Sequence, residues 1–341
     1  MRNACLIALA VLFALGTLAS RSARGYPIPP QTLWEVAKAA DLVVLAEVSR
    51  VTDNPACKKR DDCFLDGSIA WLEVRETWKG AAPVGPLQVF FEPNMICPAP
   101  PRYVRGETVV AFLGRHPEKE GWTTVSLSYG SRPASGSALD DLRQLTQSAL
   151  ALQAQGRIAP EKLLEWSVEA ASHLATRWDG LYLLRAAADR MHSYYDTERQ
   201  DETAEIDRAP LSQEQLRRIA RAFVVAPPAP GELALSLAVL EGFVDPAVDR
   251  TAVALMEGVL AGEGEGWAYE AKEVMPWVLR RFGGQDVEQR WPVLAEDSFP
   301  ESSVLLRQVW EEARKAFEIP KVPPLVPGAA GAQGVGGRTP D

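Results

Sequence analysis

Hydrophobic and polar positions follow two different periods along this chain, and the change falls in the Ser/Gly/Pro stretch from Gly130 to Ser137. Before it, short apolar runs are separated by turn residues. Asp41 to Val48 is almost continuously apolar and β-branched, which predicts a well-buried strand. Ile69 to Thr77 alternates, with Leu72 and Val74 opposed to Glu73 and Arg75, so one face of that strand is wet. Leu87 to Phe91 is a third strand, stopped by Pro93. Thr108 to Leu113, entered through Arg105-Gly106, is a fourth, and Thr123 to Tyr129 a fifth. Five short strands with turn chemistry at each join predict a small barrel or sandwich.

Beyond the change, apolar residues recur at the helical spacing. Leu164, Val168, Ala171 and Ala175 form one stripe behind Pro160. Leu216, Ile219 and Phe223 follow a capping box made by Ser212 and Gln215. Val248, Ala252, Leu255 and Val259 repeat the pattern between Asp245-Pro246 and Gly262. Trp267, Ala271, Val274 and Val278 do so again, with Pro276 expected to kink or shorten that helix. Leu306, Val309, Ala313 and Phe317 make the last stripe. Helix starts near 212, 247 and 286 give a period that fits stacked helical pairs, with an irregular helical bundle as the alternative. The chain is thus expected to be α+β and multidomain. A barrel over 26–134 precedes an all-α domain over 138–319, and a flexible Pro/Gly-rich tail fills 320–341.

The first residues set the compartment. Arg2, an apolar run from Ala4 to Leu18 and small residues after it have the layout of a secretory signal peptide spanning 1–19, with cleavage after Ala19. The run is shorter than the roughly 20 apolar residues a membrane span needs. The expected location is therefore periplasmic or extracellular, with no membrane span once the leader is removed. The formal charge is −9, and losing Arg2 leaves 35 basic against 45 acidic residues, a sign that disfavours nucleic acid. The basic run Lys58-Lys59-Arg60 is followed by Asp61-Asp62 and reads as a solvated loop.

Of four cysteines, Cys5 leaves with the leader, so Cys57, Cys63 and Cys97 remain as candidates for one disulfide with three possible pairings. Loop closure favours a bridge that includes Cys97. No further His or Cys stands near enough to complete a metal site, and none is assigned.

Catalytic machinery is not evident. The three histidines, His116, His173 and His192, form no His-Glu-x-x-His pair. Glu165, Glu169 and His173 share one helix face and are the best constellation, although charge at that spacing usually marks the solvated side. No nucleophile elbow occurs, and Gly262 to Gly266 places acids where a phosphate would sit. No catalytic residue, cofactor or metal is expected. Trp166, Trp178, Trp267, Trp277, Trp291 and Trp310 lie at amphipathic helix positions, which points to packing. The expectation is a non-enzymatic protein whose partner is another protein at the cell envelope or outside it. A secreted peptidase inhibitor, then a hydrolase, are the alternatives.

Ala40 to Val48, Leu72-Glu73-Val74 running to Trp78-Lys79-Gly80, a cysteine ahead of Arg105 to Leu113, and a final strand ending near Gly130 together resemble the exported bacterial relatives of the netrin-like module. That is the fold shared with tissue inhibitors of metalloproteinases. The resemblance implies a five-stranded OB-like barrel. In those inhibitors a cysteine at the mature N-terminus binds the protease zinc. Ser20 to Pro30 contains none, so that mechanism is not carried over. The helical half resembles HEAT-like repeats in period and amphipathicity alone.

Overall fold

A computed structural model describes residues 30–57, 66–95, 99–185, 210–229, 231–262, 267–283 and 303–325. The architecture is α+β, a closed five-strand barrel followed by helices. A short helix, α1 (Leu33–Ala39), comes first. The strands are β1 (Leu42–Asp53), β2 (Ser68–Lys79), β3 (Leu87–Phe91), β4 (Thr108–Arg115) and β5 (Trp122–Thr124). They pair in the order β1-β2-β3-β5-β4, and β4 returns to β1 to close the barrel. All these pairs are antiparallel except β3 with β5. The result is OB-like.

Strand β1 explains why its sequence is apolar at nearly every position. Leu42, Val44, Ala46 and Val48 point into the barrel with Leu72, Val89 and Leu113. Val43 and Leu45 point outward, beside Val110 and Phe112 of β4, and pack under α1 and the first helices that follow. Three irregularities in its register with β2 bend the strand, letting one segment serve both walls.

The expected fifth strand is shorter than its pattern suggests. Ser126 and Leu127 both take positive φ, which β-structure forbids, and a 3-10 turn (Leu127–Gly130) follows. A Cβ on Gly130 would strike the Val125 carbonyl, so only glycine fits that turn. The stretch read as a linker then supplies β6 (Ser131–Pro133), paired to β4 at Val109, Val110 and Ala111.

Eight helices follow among the described residues: α2 (Ser137–Gln153), α3 (Pro160–Ser172), α4 (Arg177–Leu184), α5 (Gln213–Val225), α6 (Leu233–Val239), α7 (Pro246–Ala261), α8 (Trp267–Gly283) and α9 (Ser303–Ala316). Helices α3 and α4 meet at Gly180, where an added Cβ would hit Ala171 N and Ser167 O. The box predicted at Ser212 is formed, with Gln215 N donating to Ser212 Oγ and Gln215 Oε1 accepting from Ser212 N. Helix α8 runs through Pro276 without ending there, flanked by the buried Val274, Met275, Trp277 and Val278. The third repeat start, near 286, lies outside the described residues.

One cluster of buried residues joins α1, the outer barrel wall, α2 and α3. A second fills the space among α4 to α9. At the junction, Asp179 of α4 is almost fully enclosed. It accepts from both terminal nitrogens of Arg132 on β6, at 2.8 and 3.0 Å, and from Leu33 N of α1 at 2.6 Å. Barrel, entry helix and helical half are bolted together at one carboxylate.

Candidate functional site

Two places gather polar side chains. The first is the helical constellation expected from the sequence. Glu165 and Glu169 lie on α3, and His173 is the residue that caps its C-terminus. His173 Nδ1 lies 2.9 Å from Asp141 of α2, and Nε2 lies 3.0 Å from Glu169. Arg218 of α5 reaches both Glu165 and Glu169, and Gln215 donates to Glu165 at 3.1 Å. Carboxylates only accept, so both imidazole nitrogens are best used as donors, and the ring is held as the cation. Burial opposes that charge. The hydrogen bonds to Glu169 and Asp141 outweigh it and raise the His173 pKa above the ordinary histidine value. Burial likewise opposes ionisation of Glu165, but Arg218 and Gln215 hold its pKa below the usual glutamate value. Every group in the set is committed to a neighbour within the protein. The arrangement braces α2, α3 and α5 together.

The second place is one rim of the barrel, where β1 ends, β2 begins and β3 ends. Asp53, Asn54, Cys57, Gly67, Ser68, Glu92 and Asn94 line a hollow of about 340 Å³. Its wall is rigid. Asn54 is buried; its Nδ2 donates to the Asp66 carbonyl at 2.8 Å and its Oδ1 accepts from Ala56 N at 3.1 Å. Glu92 Oε1 accepts from the backbone and side-chain nitrogens of Asn94, at 2.9 and 3.0 Å. Gly67 leaves room for the Glu92 carboxylate, which a Cβ there would displace. Cys57 Sγ lies 3.4 Å from the Asp66 carbonyl, while Cys63 and Cys97 lie outside the described residues.

Behind the hollow, Asp66 ties the β1–β2 connection to the β4–β5 connection. His116 Nδ1 accepts from the amides of Glu118 and Lys119, at 3.0 and 3.1 Å, so its proton sits on Nε2 and is donated to Asp66 at 3.0 Å. Lys119 also donates to Asp66, and its ammonium stands 5.1 Å from the centre of the Phe90 ring. Burial raises the Asp66 pKa, but the bonds from Lys119 and His116 prevail and hold it below the normal aspartate value. With both nitrogens engaged, His116 fastens the β1–β2 and β4–β5 connections to each other.

His192, Trp291 and residues 263–266 lie outside the described residues. Trp166, Trp277 and Trp310 are buried as packing residues, and Trp178 stacks between Tyr129 and Tyr182 at ring separations of 6.1 and 5.0 Å. Trp178 is thus engaged in an aromatic stack within the protein. Among the described residues, no cluster of His, Cys, Asp or Glu is arranged to hold a metal ion, and no helix is long and apolar enough to cross a membrane. Comparison of the chain with known protein families, curated proteins and solved structures finds no match.

Sequence reading missed Asp141, Arg218, Asp66 and Asp179. Each finds its partner across 32 to 146 residues of chain, and no local spacing announces it.

Proposed function

We propose that this is an exported protein that works by binding another protein at the cell envelope or outside the cell, without chemistry of its own. The observation that carries the reading is the internal commitment of Glu165, Glu169 and His173 to Asp141, Arg218 and Gln215. The groups best suited to catalysis act as a brace. On this reading the barrel is netrin-like, supported by its strand order, and the helices stack as HEAT-like pairs, supported by their amphipathic stripes. Cys57 is bridged in the oxidising compartment, with Cys97 the favoured partner because that bridge closes a longer loop. Immobilising the full chain and passing the exported fraction of its host over it tests the proposal. One protein retained saturably and in stoichiometric amount supports it, and recovery of none contradicts it.

A second reading, a peptidase inhibitor, is favoured by the β2–β3 connection. Its tip carries Val84, a fully exposed aliphatic side chain between Pro83 and Pro86, on a loop anchored by the paired Lys79 and the buried Leu87. Prolines on either side restrict the backbone before any partner arrives, which lowers the entropy lost on binding. This reading predicts tight inhibition of a secreted protease that prefers small aliphatic residues, relieved by Val84→Asp. A panel of such proteases showing no inhibition removes it.

A further inference from the structure

The chain beyond the last helix is not loose where it is described. Helix α9 ends with Glu318 at positive φ, and Ile319 N donates to the Arg314 carbonyl at 3.0 Å, the bond pattern that turns a chain sharply back at a helix end. Residues 320–325, read from composition as the start of a flexible tail, then run over the helices. Ile319 is buried, Val322 packs against the helical core, and Leu325 N donates to Ala254 O of α7 at 2.8 Å. Between these anchors Pro320, Lys321, Pro323 and Pro324 are exposed.

That is a period of three, the repeat of a polyproline II helix. The sequence enforces it. Pro320, Pro323 and Pro324 have φ fixed near −65°, and the residues before them are kept out of the α region. Ile319 and Val322 seat one edge by their side chains, and Leu325 is held on the same edge by its backbone N–H while its own side chain stays exposed. Pro320 with Pro323, and Lys321 with Pro324, form the two edges that face out.

We propose that Pro320–Leu325 is a preformed docking ledge for a partner domain with an aromatic-lined groove. Such grooves read two edges of a Pro-x-x-Pro helix and leave the third free; here the third edge is the one already seated. Lys321 adds a positive charge on the outward side, so the groove that fits carries a carboxylate at its rim. Because the segment is already extended and held at both ends, little ordering cost remains on binding. The inference rests on the protein-binding reading and names one surface for it.

The test uses the full chain as titrant and two isotope-labelled probes, an SH3 domain and a WW domain of known Pro-x-x-Pro preference, followed by NMR. The expected result is saturable shifts confined to a probe's aromatic groove. Binding should weaken at least tenfold with Pro320→Ala/Pro323→Ala and several-fold with Lys321→Glu, and should not change with Val304→Ser, an exposed site elsewhere. Because Lys321→Glu alters an exposed side chain alone, it reports on the ledge even if the proline pair disturbs the fold. Absence of groove shifts with both probes, or equal binding by the double proline variant, overturns the ledge. A partner retained from the exported fraction by both the parent and the double variant would leave the protein-binding reading standing while removing this surface.

Discussion

His173 shows how one side chain can be chemically suggestive and structurally spent. It stands between Asp141 and Glu169, with Arg218 beyond Glu169, and is held as a cation. Its folded pKa is raised, so the stability it contributes is complete below about pH 6.5, the ordinary histidine value, and is lost as pH rises through the folded value. Thermal melting across that range should therefore show the parent losing stability with rising pH. His173→Gln should melt lower at acid pH and show a flatter profile. Identical profiles would contradict the brace. Gly180 makes a different argument, from space. Any Cβ there meets backbone of α3 on two sides, so Gly180→Val should cost about 1–3 kcal/mol, read as a lower denaturant midpoint with an unchanged slope. The i, i+4 spacing of Glu165, Glu169 and His173 is plain in the sequence, but their partners are not. Asp141 and Arg218 belong to other helices, and only packing brings them to the same spot.

Elements differ in how openly their sequences declare them. β1 is legible because it is buried on both faces, and α5 because Ser212 and Gln215 form its cap. Helix α1 carries the same signal, with Thr32 and Glu35 capping it reciprocally, yet its seven residues span barely two turns and show no sustained stripe. The fifth strand stops early because left-handed Ser126 and Leu127 break an alternation that is otherwise correct. Pro276 sits inside α8, where propensity alone would end a helix; the buried residues on either side of it hold the helix through. The contact between elements that matters most is Asp179 with Arg132 and Leu33. Removing one partner of a buried ion pair strands the other charge, so Asp179→Ala should lose about 3–5 kcal/mol. Amide exchange should then speed up first in α1 and β6, and exchange confined to α4 would contradict a bolt shared by three elements.

Taken together, an OB-like barrel and the first helices behind it share one packed layer, a second core fills the later helices, and Asp66, Glu169, His173 and Asp179 hold elements in place. Such a body presents surfaces: the rim hollow beside Cys57, the Val84 loop and the ledge after α9. The proposed role, binding without turnover, would use one of these surfaces. Isothermal titration of the protein retained from the exported fraction into the full chain separates the two outcomes directly. We predict heat that saturates as sites fill, with an affinity that His173→Gln leaves unchanged. A steady heat of reaction continuing after saturation, and abolished by His173→Gln, would contradict the account.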